Sequence, residues 1–178
     1  TPGMKFRGAF FDRDGTLMEE VGHCGDPAAV RVFDGVPDAL RRLRAAGFKI
    51  ILITNQSGIG RGIFTEAQFH AVQAELVRRI GDGVIDATYF CPDAHIPESD
   101  CRKPKPAMLE RAAVDHKIDL TRSFMVGDRV TDIEAAHAAG ALGILVRTGV
   151  GKEVADCTPD LDAPDVLSAI DWILTRKG

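Results

Sequence analysis

The chain has 178 residues, 45% hydrophobic and 27% charged, a balance that fits one folded α/β domain and excludes disordered, collagen-like and coiled-coil chains. Lys plus Arg number 22 against 26 Asp plus Glu, for a net charge of −4, and no run of cations forms the basic stripe that nucleic-acid phosphates require. The longest apolar stretch, Lys49 to Ile53, is strand-sized and far short of the roughly 20 residues of a membrane span, so neither nucleic acid nor membrane is expected as a partner. Four sparse cysteines suit a reducing cytoplasm better than a disulfide framework. Of the two read as ordinary thiols, Cys24 is expected to be more exposed than Cys157. The residues before Met4 read as a cloning remnant, leaving a single domain over 5–178.

In chain order, Phe6 to Phe11 is a short apolar run that stops at Asp12-Arg13-Asp14-Gly15-Thr16. The long loop Met18 to Val32 follows. Val36, Leu40 and Leu43 then share one helical face, closed by Gly47. Phe48 to Ile53 is a β-branched run ending at Thr54-Asn55-Gln56-Ser57-Gly58. Thr65 with Gln68 forms a capping-box pattern for a helix through Phe69, Val72, Leu76 and Ile80. A third strand, Ala87 to Phe90, runs into a second long loop, Cys91 to Lys105. Pro106 suits the first turn of a helix from Met108 to His116. A fourth strand, Ser123 to Val126, ends at Gly127-Asp128, and Thr131 with Glu134 repeats the helix-start signal for a segment ending at Gly140. A fifth strand spans Leu142 to Val146, and a last helix Val166 to about Thr175. Strands alternating with helices predict a doubly wound, mostly parallel sheet of Rossmann-like type, whose ligands gather beyond the carboxyl ends of the strands.

That architecture would bring the polar strand ends together. Asp12 and Asp14 would repel each other unless a cation or a proton sits between them. Taken alone, Asp-x-Asp-Gly is also a helix cap, an Asp-rich turn or a calcium loop. Calcium fits poorly, because the sixth and twelfth places, Leu17 and His23, should be Gly and Glu. Thr54 to Gly58 offers hydroxyl, amide and backbone donors for an oxyanion, or simple turn chemistry. Arg102 and Lys103 add positive charge, although a cationic surface pair would read the same. Asp128 supplies a third carboxylate, and Asp132 reads as a helix-start residue. Together these groups can hold a divalent cation such as Mg2+ and a phosphoryl group at once.

The ordered set Asp12-Arg13-Asp14-Gly15-Thr16, Thr54, Lys103 and Gly127-Asp128 with Asp132 resembles the haloacid dehalogenase superfamily of phosphatases, over roughly Lys5 to Gly149. Thr54 to Gly62 and Cys91-Pro92 with Cys101-Arg102-Lys103-Pro104 resemble the D,D-heptose 1,7-bisphosphate phosphatases and the related histidinol-phosphate phosphatases. Gly60-Arg61-Gly62 and Phe33-Asp34-Gly35-Val36 favour the heptose branch. The resemblance implies a haloacid dehalogenase-like fold without a large cap domain and a Mg2+-dependent sugar phosphatase, with histidinol phosphate as the alternative substrate. A phosphate-binding or regulatory module without turnover, a receiver-like domain included, is the alternative class; the retained Asp12 and Asp14 disfavour it.

By the same resemblance Asp12 is the nucleophile, forming an aspartyl-phosphate, and Asp14 the acid–base group. Thr54 and Lys103 hold phosphoryl oxygens. Asp12, Asp128 and the backbone carbonyl of Asp14 hold the metal. Glu20, Gly22, His23, Asn55, Gln56, Ser57, Arg102 and Arg129 contact substrate, and Arg61 is a further phosphate contact. The family often carries a zinc loop with Cys-x-His and Cys-x-Cys. Here those places read Cys91-Pro92-Asp93 and Ser99-Asp100-Cys101, so two of four ligands are missing, and a third from His95 still leaves the set one short. No zinc is expected, with Cys91 and Cys101 left as remnants or a thiol pair and the loop held by Pro92, Pro97 and Pro104. No heptad or surface stripe marks a partner chain, and a monomer is expected.

Overall fold

The computed structural model describes residues 3, 4 and 6–176; the first two residues, part of the segment read as a cloning remnant, lie outside it. Six strands form one parallel sheet: β1 (Gly8–Phe11), β2 (Lys49–Asn55), β3 (Ala87–Cys91), β4 (Phe124–Gly127), β5 (Leu142–Val146) and β6 (Leu161–Ala163), in the order β3-β2-β1-β4-β5-β6. The helices are α1 (Val36–Ala45), α2 (Ser57–Gly60), α3 (Glu66–Ile80), α4 (Ala107–His116), α5 (Val130–Ala139) and α6 (Val166–Thr175). No helix among the described residues is long and apolar enough to cross a membrane.

Side-chain alternation along each central strand splits the interior in two. Ala9, Phe11, Ile50, Leu52, Phe124 and Val126 face one core, which takes the buried faces of α1 and α6 and Val72, Leu76 and Ile80 of α3. Phe10, Ile51, Ile53 and Met125 face the other, beneath Leu109 and Ala112 of α4 and Ala135 and Ala136 of α5. Because both faces are covered, these strands read as continuous apolar runs rather than alternating ones.

The chain builds β1, β2 and β3 outward in one direction, then returns to place β4 on the other side of β1. The strand order therefore reverses between β1 and β4, where ligands of such sheets bind. Phe11 is in register with Leu52 on one side and Val126 on the other, so the residues that follow these strands emerge side by side.

Several local expectations are corrected. Helix α5 begins at Val130, because Arg129 is its N-cap and donates its N–H to the Asp132 carboxylate at 3.1 Å. Strand β6 is only three residues long, too short to show a period in the sequence. Cys91 and Cys101 are joined in a disulfide, not left as thiols. Cys24 is buried in the first core, whereas Cys157 is partly exposed, the reverse of the sequence expectation.

Candidate active site

Asp12 follows β1, Thr54 and Asn55 end β2, Lys103 comes from the loop after β3, and Asp128 follows β4; all four strand ends meet at the switch point. Asp12, Asp128 and Asp132 offer carboxylate oxygens within 4.8 Å of one another. Three buried carboxylates at that spacing need positive charge. Lys103 supplies part of it. Only 2% exposed, its Nζ donates to Asp132 at 2.6 Å and to the Ile53 carbonyl at 2.9 Å, and lies 3.3 Å from Asp12. Burial alone would lower its proton affinity, but Asp12 and Asp132 outweigh that and hold it above the ordinary lysine value.

The charge is not fully offset. Burial, followed by the nearness of Asp12 and Asp132, pushes Asp128 up to about 9. Burial and Asp12 likewise push Asp132 up to about 7 against the pull of Lys103. Asp128 accepts weakly from Thr16 Oγ1 at 3.5 Å and from the Val150 N–H at 3.1 Å. Gly15, at φ +82°, packs so closely that a Cβ there would fall 2.1 Å from Asp128 Oδ2. A carboxylate set short of one cation, with backbone drawn tight around it, fits a small hard metal ion bound by few protein oxygens and water.

Asp14 turns outward into a cleft of about 340 Å3. Its carboxylate receives Gln56 Nε2 at 3.1 Å and Arg13 Nε at 3.1 Å. Gln56 Nε2 also donates to Thr54 Oγ1 at 2.9 Å, leaving the Thr54 hydroxyl proton with only a long contact, 3.5 Å, to the Asn55 carbonyl. Asn55 brackets the backbone of Lys103, accepting from its N–H at 3.0 Å and donating to its carbonyl at 3.3 Å, so this side chain positions the lysine.

The cleft is walled by Glu20, Gly22 and His23 from the first long loop, Asn55, Gln56 and Ser57 after β2, and Arg102 and Arg129 from the far side. Glu20 accepts from the Gly22 N–H at 2.8 Å and lies 3.5 Å from Arg129 Nη2. Burial and then Asp14 raise its proton affinity. Arg102 Nη1 is buried and has no hydrogen-bond partner among the described residues. Burial and the neighbouring Arg129 lower the guanidinium's proton affinity.

Three of the residues singled out from the sequence do not line the cleft: Asp128 and Thr54 are buried beneath it, and Arg61 instead lies 3.4 Å from His23. His95 and Thr131 line it without having been singled out as site residues. His95 comes within 3.5 Å of Arg102, a proximity that no spacing rule signals. Asp132 does more than start its helix, since it is wholly buried against Lys103.

A family model described as "HAD-hyrolase-like" matches residues 100–169. A D-glycero-D-manno-heptose-1,7-bisphosphate 7-phosphatase of Thermosynechococcus vestitus is 41% identical, covering 94% of this chain and 95% of its own. The chain belongs to the heptose-bisphosphate phosphatase family of haloacid dehalogenase-like hydrolases. Another family member, from Escherichia coli K12, is 39% identical over 93% of this chain and 86% of its own. A crystal structure of the D,D-heptose 1,7-bisphosphate phosphatase from B. bronchiseptica, complexed with magnesium and phosphate, superposes with a TM-score of 0.88 at 29% identity, covering 96% of this chain and 99% of that one. Among the described residues, no large cap domain is inserted between the strands.

Proposed function

We propose that this chain, a single-domain cytoplasmic monomer, releases the 7-phosphate of D-glycero-D-manno-heptose 1,7-bisphosphate in a Mg2+-dependent reaction through an aspartyl-phosphate. The observation that carries this reading is the convergence of Asp12, Asp128 and Lys103 at the strand-order reversal, beside Asp14 and the Thr54 hydroxyl. The relatives act on this bisphosphate by name, and Arg102 and Arg129 both line the cleft, two guanidinium groups for its second phosphate.

Asp12, Asp128 and the Asp14 carbonyl would hold the magnesium ion, which when bound offsets the charge shared by nucleophile and phosphate. An Asp12 carboxylate oxygen attacks phosphorus in line while the bond to the sugar oxygen breaks, and Asp14 gives that oxygen its proton. Asp14 then takes a proton from water as the water attacks phosphorus, which frees Asp12 and releases phosphate. The Thr54 hydroxyl donates to one phosphoryl oxygen. Lys103 shares with another the direction it now spends on its longest contact, the 3.3 Å one to Asp12. Glu20, Gly22, His23, Gln56 and Ser57 wall the sugar, and Arg61 steadies His23 at the mouth.

Phosphate release with and without Mg2+, from heptose 1,7-bisphosphate, histidinol phosphate and a wider sugar-phosphate panel, tests this directly beside Asp12→Asn. Turnover should need Mg2+, favour the heptose ester and vanish in the variant. No turnover across the panel defeats the enzyme reading, and a large preference for histidinol phosphate defeats the substrate.

The loop after β3 is held without zinc in this reading. Both sulfurs that could ligate are spent on the Cys91–Cys101 bond. Asp93 Oδ2 accepts from Ser99 Oγ at 2.8 Å, so the remaining two positions satisfy each other. One equivalent of zinc per chain by elemental analysis, on protein purified without chelator, would overturn this.

A further inference from the structure

Arg13 lies between the two acids of the first loop, yet its side chain is 0% exposed. It does not turn out to solvent. Its guanidinium grips Asp14 side-on, with Nε 3.1 Å from Oδ2 and Nη2 3.4 Å from Oδ1. The group is braced from behind: Nη1 donates to Gln73 Oε1 at 3.4 Å, and Gln73 Nε2 donates to Thr88 Oγ1 on β3 at 2.9 Å. The Phe69 ring on α3 lies 5.3 Å below the guanidinium carbon.

Stability does not explain this arrangement. A buried ion pair gains little over an apolar side chain of the same volume, because desolvating both charges offsets most of their attraction. A Met or Leu would fill the space under α3 without that cost. What an apolar residue could not do is fix the plane and direction of the Asp14 carboxyl, which a planar fork does and a point charge does not. We propose that Arg13, braced by Gln73 and Thr88, is a positioning residue that aims the Asp14 carboxyl at the oxygen it must protonate.

The inference rests on Asp14 being the proton donor, and the test separates the two. An alkyl phosphate needs its leaving oxygen protonated; p-nitrophenyl phosphate does not, since nitrophenolate leaves unaided. Arg13→Lys keeps the charge and loses the fork. It should lower kcat on an alkyl phosphate by about 10- to 100-fold, part of what a positioned acid contributes, with KM little changed. On p-nitrophenyl phosphate it should still give a burst of one nitrophenolate per enzyme at the parental rate, followed by slow turnover as water activation suffers. Gln73→Leu, which removes only the brace, should show the same pattern more weakly and decides the matter if Arg13→Lys does not fold. Equal losses in burst and steady state, or parental rates on both esters, overturn the role of Arg13. If Asp14→Asn itself retains alkyl-ester turnover, the proton-donor reading fails instead.

Discussion

Gly15 occupies a place where no side chain fits. Its φ of +82° lies in the left-handed region, and its missing Cβ would overlap Asp128 Oδ2. Gly15→Ala should therefore cost about 1–2 kcal/mol of backbone strain and also displace a proposed metal ligand. A magnesium titration of phosphate release should show half-maximal activity moved to at least about tenfold higher Mg2+, since each 1.4 kcal/mol lost at the ion is a decade; an unchanged curve would separate Asp128 from metal binding. Lys103→Ala acts through a different term. It strips the cation from Asp132, which is wholly buried, and from the edge of Asp12. Turnover should fall by about 10²–10³, the usual result of losing one transition-state donor, and the melting temperature should drop as well. At this scale the sequence exposes the acids, Lys103 and Thr54, because their spacing after strands carries the chemistry. It hides Arg13, whose burial depends on Phe69 and Gln73 arriving from another helix. Arg61 is named as a phosphate contact by resemblance, whereas its placement 3.4 Å from His23 depends on two loops meeting and carries no sequence signal.

Among the elements, the loop after β3 departs furthest from its sequence reading. With zinc ligands missing, the sequence leaves it held mainly by Pro92, Pro97 and Pro104, yet a covalent bond spans ten residues of it and Ser99 gathers the rest. The Ser99 hydroxyl reaches Asp93 and accepts from the Arg102 N–H at 3.2 Å. Closing a loop of that length is worth roughly 2.5–3 kcal/mol on chain entropy. Two sparse cysteines reveal a pairing only once β3 fixes one end and the Lys103 segment the other. The same loop carries Arg102 near its disulfide and Lys103 beyond it, where Asn55 and three charge or carbonyl contacts hold the lysine independently. Reduction, or Cys91→Ser, should thus raise KM several-fold through Arg102 while kcat stays within about twofold. Steady-state kinetics with and without a phosphine reductant would check this; a collapse of kcat at constant KM would mean that the bond holds Lys103 instead. By contrast the α3 capping box was legible in full, because Thr65 and Gln68 satisfy each other's backbone partners within one turn. The start of α5 was not, because its cap uses Asp132, a residue also claimed by Lys103.

At the scale of the whole molecule, the doubly wound sheet was legible because both of its faces are covered, which turns each central strand into an unbroken apolar run. The consequence of that topology is electrostatic. By placing β1 beside β4, the fold packs Asp12, Asp128 and Asp132 into one buried set that neither strand assembles alone. Without metal, Asp128 is pushed up to about 9 from an ordinary 3.8, and Asp132 to about 7. Between the unfolded value and these raised ones the native protein holds protons that the unfolded chain has released. Proton linkage then makes the stability contribution of these groups fully present below the unfolded value and progressively lost as pH rises through the folded ones. Magnesium reverses the penalty, because it binds the ionised carboxylates and must displace a proton from Asp128 wherever that group is still protonated. The rise in melting temperature on adding saturating Mg2+ should accordingly be larger at about pH 8.5 than at about pH 6. Asp128→Asn should flatten that difference, since its amide neither titrates nor presents an anionic oxygen. Calorimetry of the two proteins across this range gives the answer: a magnesium increment independent of pH, or largest in acid, would mean that the buried acids are neutralised by Lys103 alone and that the ion is held elsewhere.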